Sequence, residues 1–467
     1  MLEMLRNLIS MFLSFELAIS GMFTGLDVNK QYEMPEVETG EYTQYVDAFI
    51  GTGGLPWTCG MLSPAATTPF GLVRLGADTS FLGGAYILKT NTSGYYYEHG
   101  HIQGFSHSRL SGTGAEEYEM FRVTPAIGTQ KASAVAYSHE NETATPGYYA
   151  VYLPSLACLA EMTATAHAGV HRYTFGTIKN ARLSIDVSSY AGNSKVEDSY
   201  AEYDAETGII TGGCNLFAQF SGRYDGLPVY FAAKTSKAAE KVEIKGGSDD
   251  LKVDINFGSI KNEAVELYVG ISFVSAENAL LNLEEEVGNK TFDDVRNEAQ
   301  AQWEDELSLI KIESADEEIK TIFYSSLYHT MIMPSDATDV NGEYLGFDKE
   351  VHVTDGYTYR YLGAGQKSEY VVFVEGEDKM AEKMSKLLAV SLGNIKSLYD
   401  EKYDKGSFIK NIILDNILPS DIYIKSKELH FNTEDPRIVF LVKFFGKTDM
   451  MPFEMLQNMF PDKSKDY

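Results

Sequence analysis

Short strand-like segments recur from Tyr45 to about Val287, and they constrain the fold more than any other feature of the chain. Each is rich in β-branched or aromatic residues, and turns such as Tyr224–Gly226 separate them. The segments are Gly147–Leu153, His171–Phe175, Ala181–Val187, Leu227–Ala233, Leu251–Phe257 and Ala264–Val274. Closely spaced strands of this kind are typical of packed antiparallel sheets. We therefore predict a β-rich, multi-domain protein whose N-terminal part is an antiparallel β-sandwich.

Two glycine-rich stretches stand out within this region. Gly51–Gly60 (GTGGLPWTCG) holds four glycines around Trp57 and Cys59. Because glycine permits positive φ and close backbone approach, we predict a shaped loop here. The alternating run Gly71–Leu75 favours a half-buried strand, and the second stretch, GYYYEHGHIQGFSHSRLSGTG, follows it. Loops on a β-scaffold often carry binding groups, although both stretches are equally compatible with plain irregular connections.

Composition excludes several classes of protein. The formal net charge of −28 over 467 residues argues against a nucleic-acid partner, since phosphate contacts require clustered Lys and Arg. The hydrophobic content of 44% is that of an ordinary globular protein. Cys59, Cys158 and Cys214 are widely spaced, so they predict neither a zinc site nor a disulfide framework.

The N-terminal segment MLEMLRNLISMFLSFELAISGMF makes a poor signal peptide. Glu3 offsets the charge of Arg6, and Glu16 interrupts the apolar stretch. The segment is also too short and too charged to span a bilayer, so we expect no membrane partner. Localisation stays open: the protein is secreted or at the cell surface if this segment is a leader, and cytoplasmic otherwise.

The hydrophobic period changes to a helical one after Phe292. Apolar residues at four-residue spacing predict a helix over Phe292–Ile310, and Ser314 with Glu317 forms an S-x-x-E capping box for a second helix. Pro334 ends that helix in the prediction. The first helix is expected to bury Val295, Ala299, Trp303 and Leu307, and the second to bury Ile319, Ile322, Phe323, Ser326 and Leu327.

Five ordered motifs resemble the N-terminal domain of glycoside hydrolase family 92, the calcium-dependent exo-acting α-mannosidases. They are VDAFIGTGG, TTPFGLVRL, GFSHSRLSGTG, SHENETATPGYYAVYL and EMTATAHAGVHRYTF. The later segment FYSSLYHTMIMPSDATDVNGEYLGFD resembles the linker helices and the start of the family's (α/α) barrel. This resemblance implies a β-sandwich followed by a helical catalytic barrel.

The resemblance implies that the sandwich contributes one side of a mannose-binding cleft. Its substrate-binding candidates here are Trp57, Cys59, Gly60, His107 and Ser111. Three of them have a structural alternative: Trp57 as a packing residue, and His107 and Ser111 as groups that hold their loop by hydrogen bonds.

Catalytic and metal-binding candidates are predicted to be absent. The resemblance implies that the acid, the base and the calcium ligands come from the barrel, and no barrel position that supplies them can be matched in this chain. The acidic run Glu116, Glu117 and Glu119 suggests a metal site, but adjacent surface carboxylates are more often only solvated. We therefore assign no catalytic and no metal-binding residue.

The resemblance to family 92 stops near Arg360. The last hundred residues are nearly balanced in charge and resemble the middle part of carbohydrate-diacid-regulator-type transcription factors, without a recognisable helix-turn-helix. An amphipathic helix is predicted from Met380 to Ile395, a second over Phe408–Leu418 stopped by Pro419, and a strand over Arg437–Phe445. A fused or mis-assembled reading frame accounts for this junction, and a divergent barrel is the alternative.

The predicted organisation follows from these segments. Residues 1–41 form a leader or disordered segment, 42–290 the β-sandwich, 291–365 the linker helices with the truncated start of the barrel, and 366–467 a small, unrelated α+β tail. The predicted function is hydrolysis of terminal α-linked mannose with inversion, in a truncated or chimeric form that lacks the catalytic acid and base. The expected partners are mannose-containing glycans, with calcium as the family-implied cofactor. The alternatives are a non-catalytic carbohydrate-binding β-sandwich protein and a regulator that acts through the tail.

Overall fold

The computed structural model describes residues 32–54, 60–81, 92–112, 114–129, 131–354, 356–362, 370–376, 379–402, 405–414 and 416–429. The chain divides into two compact units, Met1–Thr354 and Asp355–Tyr467. The predicted strand over Arg437–Phe445 lies outside the described residues.

The first unit is built mainly of antiparallel strands. Numbered along the chain, they are β1 (Gly76–Ser80), β2 (His101–Ser106), β3 (Arg122–Ile127), β4 (Val135–Ala136), β5 (Glu142–Thr145), β6 (Tyr148–Leu153), β7 (Cys158–Ala164), β8 (Ala168–Phe175), β9 (Ala181–Asp186), β10 (Lys195–Tyr203), β11 (Ile210–Phe217), β12 (Leu227–Thr235), β13 (Lys241–Lys245), β14 (Lys252–Asn256) and β15 (Glu263–Ser272). One sheet has the order β1-β2-β3-β9-β14-β13, with β4 paired to β2. The other has the order β10-β11-β12-β15-β8-β7-β6-β5. The predicted strand-rich antiparallel architecture is confirmed.

The two large sheets share one hydrophobic core. Phe105 of the first sheet lies 6.1 Å from Tyr173 of the second, measured between ring centroids. Phe121 and Phe231 approach to 4.7 Å in the same way. All four rings are fully buried, so aromatic burial contributes strongly to holding the sheets together.

Two helices cover the outer face of the second sheet. They are α1 (Ala276–Glu286) and α2 (Phe292–Leu307). Leu283 and Val295 join Tyr148 and Val170 in a separate hydrophobic cluster beneath them. Because this cluster covers the outer face of the sheet, β7 is buried at every residue. The predicted apolar stripe of α2 is confirmed: Val295, Ala299, Trp303 and Leu307 are all buried.

The third helix, α3 (Glu317–Thr330), differs from the prediction in both its cap and its buried face. Its N-cap is Asp316, whose side chain accepts from the Glu318 amide, whereas Ser314 only accepts from the amide of Asp316. Ile319 and Ile322 are 51% and 55% exposed. The predicted Ser314 cap is therefore wrong, and so is the predicted burial of Ile319, Ile322 and Ser326, whereas Phe323 and Leu327 pack partly buried against a core cluster.

The buried face of α3 is instead aromatic and polar. Tyr328 lies 4.4 Å from the Trp303 ring, and Tyr324 lies 5.6 Å from the Tyr42 ring. Ser325 is buried on the same face and accepts a hydrogen bond from a backbone amide. Large tyrosine rings bury more area than the aliphatic side chains, and their hydroxyls remain able to form hydrogen bonds, so this face turns inward.

The predicted strand over Gly71–Leu75 is also wrong. Its residues are all buried, and only Leu75 forms a bridge, to Ala66, before β1 begins. The Val73 amide donates to Ala166, whereas the Arg74 amide donates to His107. Because successive amides bond to different segments, the run crosses between strands instead of extending one ladder.

The remaining elements are short hairpins and helices. The first unit ends with β16 (Glu343–Leu345) paired to β17 (Val351–Val353). The second unit contains the hairpin β18 (Tyr357–Leu362) and β19 (Tyr370–Glu375), followed by α4 (Lys379–Lys402), α5 (Lys405–Ile413) and α6 (Pro419–Glu428). Pro419 begins α6 rather than only stopping the preceding helix, which suits its fixed φ. None of the helices in the described ranges has the length and apolar character that a bilayer crossing requires.

Candidate functional site

A crevice on the first unit forms where two loops meet the chain that follows α3. The crevice is small: its volume of about 10 Å³ holds about one water molecule. The lining residues are Ser63, Ala65, Thr67, Arg74, Arg109, Leu110, Ser111 and Ile332.

The glycine loop borders this crevice. The carbonyl of Gly51 accepts from the Leu62 amide at 3.2 Å, and the carbonyl of Met61 accepts from the Gly112 amide at 3.1 Å. Gly51 has a φ of 81°, and a Cβ there would lie 2.8 Å from Leu62 Cδ1. Glycine is therefore required at this turn by both conformation and space. Gly60 is exposed beside it.

Arg109 fixes the second loop, GFSHSRLSGTG, from inside the protein. It is 1% exposed. Its guanidinium donates to the carbonyls of Gly76 (2.5 Å), Ala77 (3.0 Å) and Ser93 (3.2 Å), and to the Asp78 carboxylate at 3.1 Å. Burial lowers the pKa of Arg109, and the Asp78 charge acts in the opposite direction. A guanidinium with this many acceptors holds the surrounding backbone in one arrangement.

Asp78 links Arg109 to a second ion pair. Its other oxygen accepts from Arg122 Nε at 2.6 Å, and Arg122 also donates to Glu119 at 2.9 Å. Burial, together with the nearby Asp78 charge, raises the pKa of Glu119 to about 8. Glu119 is thus part of a buried network and not of a solvated acidic surface.

The other carboxylates of the acidic run also bind backbone amides. Glu117 accepts from Phe220 and Ser221 at 2.7 and 3.2 Å, and Glu116 accepts from Asn193 at 2.9 Å. Both carboxylates therefore hold neighbouring loops in place. Across the described residues, no group of three or more His, Cys, Asp and Glu side chains is arranged to hold a metal ion.

Arg74 connects the strand region to the chain after α3. It donates to the carbonyl of Arg109 at 2.5 Å and to the carbonyl of Ile332 at 2.9 Å. Burial lowers the pKa of Arg74 to about 10. Ser111 lies on the opposite wall, where its amide contacts Met333 Sδ at 3.4 Å. Contacts between segments that are distant in sequence therefore hold the walls of the crevice together.

His107 lies in the core and not in the crevice. It is fully buried, and its Nδ1 lies 2.9 Å from the Phe121 carbonyl. Because a carbonyl only accepts, Nδ1 carries the proton, and Nε2 then accepts from His171 Nε2 at 2.9 Å. Burial lowers the pKa of His107 to about 4. These contacts support the structural alternative for His107.

The structure thus brings together only part of the predicted set. Ser111 lines the crevice and Gly60 lies in the loop beside it, whereas Trp57 and Cys59 fall outside the described residues. Sequence reasoning missed Arg74 and Arg109. The signal for both was a charged residue within an otherwise apolar or small-residue motif, LVRLG and SHSRLSG.

Comparison with known proteins places this architecture in a family. Models of the glycosyl hydrolase family 92 N-terminal domain and catalytic domain match residues 45–272 and 278–365, about two thirds of the chain. The chain belongs to glycoside hydrolase family 92. The crevice therefore joins residues of both matched segments, since Arg74 and Ser111 lie in the first and Ile332 in the second.

Solved family 92 structures resemble the chain over its matched part. A family 92 α-mannosidase from Bacteroides thetaiotaomicron is 29% identical, with a TM-score of 0.61 over 68% of this chain and 44% of that enzyme. Its complex with mannoimidazole gives the same TM-score and identity, over 43% of that chain. An inverting family 92 mannosidase from the same organism, at 22% identity and a TM-score of 0.57, shares the fold over 68% of this chain and 44% of its own.

One curated relative is an uncharacterized secreted glycosidase of Arthroderma benhamiae. It is 26% identical over 379 residues, which span 72% of this chain and 47% of the relative. The chain therefore spans a little under half the length of the relatives it matches.

Proposed function

We propose that this family 92 chain serves in the hydrolysis of terminal α-linked mannose and supplies the β-sandwich side of the mannose-binding cleft. One relative named as an α-mannosidase, solved alone and with mannoimidazole, supports mannose-containing glycans as the substrate class. The relative described as a secreted glycosidase favours the exported alternative for localisation.

The observation that carries the proposal is the contact between the two matched segments at the crevice. The buried guanidinium of Arg74 donates to Arg109 on one side and to Ile332 on the other. Ser63 and Ser111 also line the crevice, and the Ser63 hydroxyl accepts from Arg109 at 3.2 Å. The crevice itself, at about 10 Å³, is too small to enclose a sugar ring, so the proposed glycan contact is at its rim, where Ser111 is half-buried.

The crevice does not contain the groups that cleave a glycosidic bond. Inverting hydrolysis needs a carboxylic acid and a carboxylate about 6.5–9.5 Å apart. Among its lining residues there is no Asp or Glu. We propose that the acid and the base are absent from this chain, which then represents a truncated or chimeric form of the enzyme. In that proposal residues 42–290 form the sandwich, 291–365 the linker and the start of the barrel, and 366–467 an unrelated tail.

Calcium, the family-implied cofactor, does not fit the residues that the structure describes. Calcium requires six to eight oxygen ligands. The carboxylates near the crevice are already bound to arginines or backbone amides, and no suitable group of side chains occurs in the described ranges. No step is therefore assigned to calcium in this chain.

An assay of turnover tests the proposal directly. Purified chain with α-1,2-mannobiose and calcium is followed by proton NMR, which separates the α and β anomers of released mannose. We expect little or no mannose, because the crevice lacks the two carboxylates. Sustained release at rates typical of glycosidases would show that an acid and a base are present. Release of β-mannose first would confirm inversion, and release of α-mannose first would contradict it.

A further inference from the structure

We propose that His139 and Tyr97 form a second saccharide-binding subsite on the outer side of the glycine loop, where their polar tips recognise neighbouring sugar hydroxyls. This inference rests on the proposed function for its expectation of mannose, but not for its geometry.

The two rings form a stacked pair at the surface. Their centroids are 3.9 Å apart and the planes differ by only 6°. Tyr97 is 39% exposed, and the His139 side chain is 31% exposed. Tyr137 packs edge-on against His139 at 5.3 Å from the inner side. The imidazole is therefore held on its face and from behind, while part of it remains open to solvent.

A buried carboxylate sets the orientation and the tautomer of His139. Glu142 is 1% exposed, and its Oε1 lies 2.6 Å from His139 Nδ1. Tyr95 and Tyr149 donate their hydroxyls to the same carboxylate, each at 2.7 Å. With both Glu142 oxygens acting as acceptors, Nδ1 carries the ring proton. In the neutral ring, Nε2 is then a hydrogen-bond acceptor, and within the described residues it has no hydrogen-bond partner.

The pair is fastened to the glycine loop. The Tyr97 amide donates to the Thr52 carbonyl at 3.1 Å, and Glu98 accepts from the Gly54 amide at 2.7 Å. A Cβ on Gly53 would lie 2.5 Å from Tyr97 Cβ, so the loop is in close contact with this residue. The second oxygen of Glu98 is buried without a hydrogen-bond partner.

The glycine loop also borders the crevice through the hydrogen bond between Gly51 and Leu62. The same loop therefore contacts both the crevice and the proposed His139–Tyr97 subsite.

The chemistry of these tips fits a saccharide. Sugar hydroxyls both donate and accept, His139 Nε2 accepts, and the Tyr97 hydroxyl does both. Two such tips on parallel rings 3.9 Å apart can engage hydroxyls on adjacent sugar carbons. A carboxylate that orients an imidazole also occurs where a nucleophile is activated. Here no Ser, Thr or Cys of the described chain bonds to Nε2, which favours binding over nucleophile activation.

The test observes His139 itself. Long-range proton–nitrogen correlation spectra of the histidine side chains are recorded on the intact chain during titration with α-1,2-mannobiose, maltose and cellobiose. His139→Gln assigns the signal, and Tyr97→Phe removes the second tip. His352→Gln is the matched control, because His352 is also exposed, stacks on Tyr344 at 5.5 Å and is bound by the Asp348 carboxylate.

We expect the Nε2 signal of His139 to shift on saccharide addition and the affinity to fall at least about threefold in H139Q and Y97F, the worth of one neutral hydrogen bond. H352Q should bind like the wild type. A saccharide that binds without moving the His139 signal overturns the inference while leaving the proposed function intact. A shift with maltose or cellobiose but not with mannobiose supports the subsite and contradicts the mannose assignment. No shift with any of the three overturns the subsite.

Discussion

Arg109 is the residue on which the geometry of the crevice depends most. Its guanidinium is buried, and it satisfies several carbonyls together with Asp78. The charge of Asp78 is shared with Arg122, so loss of Arg109 leaves a buried carboxylate only partly compensated. Residues of this kind support a site without touching its ligand.

We predict that Arg109→Leu lowers the free energy of unfolding by about 3–5 kcal/mol, because it leaves one partner of a buried ion pair. Urea unfolding followed by circular dichroism measures the change. Arg223→Leu is the control: Arg223 is exposed over the Phe220 ring, and its loss should cost no more than about 0.5 kcal/mol. Equal effects of the two substitutions would show that the buried network contributes nothing to stability.

The His107–His171 pair predicts acid sensitivity. Burial lowers the pKa of His107 to about 4, and burial with the neighbouring His107 lowers the pKa of His171 well below 6.5. Below pH 6.5 both histidines become protonated in the unfolded chain, whereas they stay neutral in the folded protein. The stability due to the neutral pair is therefore complete above pH 6.5 and is lost as the pH falls towards 4.

Each histidine should contribute a slope of about 1.4 kcal/mol per pH unit in that range. His171→Gln removes one of the two groups while keeping an amide that can donate to His107. We expect the free energy of unfolding of this variant, measured by urea titration at pH 7, 6 and 5, to fall less steeply than that of the wild type. Identical slopes would mean that His171 takes up protons equally in the folded and unfolded states, which contradicts its lowered pKa.

The sequence indicated individual site residues only where they lie within a recognisable motif. Ser111, named because its motif resembles a family segment, does line the crevice. His107 belongs to the same motif, but its contact with His171 joins residues that are far apart in the chain. Arg74 and Arg109 were missed for the same reason, since their acceptors are carbonyls of distant segments.

At the scale of elements, α2 could be predicted and the face of α3 could not. The stripe of α2 is the only apolar set on that helix, so its buried face was unambiguous. Helix α3 carries apolar residues on more than one side, and contact of Tyr328 with Trp303 decides which side is buried. The spacing of residues within the helix does not show which side contacts Trp303.

The two alternative caps of α3 give a direct test at this scale. Asp316→Ala removes the side chain that accepts from the Glu318 amide, and we expect a loss of about 1 kcal/mol. Ser314→Ala, which removes the cap expected from sequence, should cost less than about 0.5 kcal/mol. Thermal unfolding of both variants separates them. The reverse order would restore Ser314 as the functional cap.

Considered as a whole molecule, the first unit exposes an apolar surface around α3. Leu309, Ile310, Ile319 and Ile322 are each about half exposed or more, at 67%, 48%, 51% and 55%. Contiguous exposed apolar side chains promote association, whereas isolated ones do not.

We predict that the double variant I319K/I322K resists aggregation better than the wild type, with a change in folding stability within about 0.5 kcal/mol. Static light scattering during heating measures the onset. Ile244→Lys is the control, because Ile244 is 41% exposed on the edge strand β13, away from this surface. An equal gain from the control would attribute the effect to added charge alone.

The strand-rich antiparallel architecture followed from the spacing of short strands and turns, because these signals are local. The crevice could not be derived in that way, because it forms only when residues 63–74, 109–111 and 332 converge. The order of the motifs was enough to indicate the family, whereas the crevice could be identified only in the folded structure.

Calorimetric titration of the intact chain with α-1,2-mannobiose tests the central claim most directly. The account predicts heat of binding in the wild type, weaker binding in Ser111→Trp, which covers the rim of the crevice, and recovery of the disaccharide uncleaved. Absence of any heat would contradict a sugar-binding surface. Conversion of the disaccharide to mannose in the calorimeter cell would contradict the absence of a catalytic acid and base.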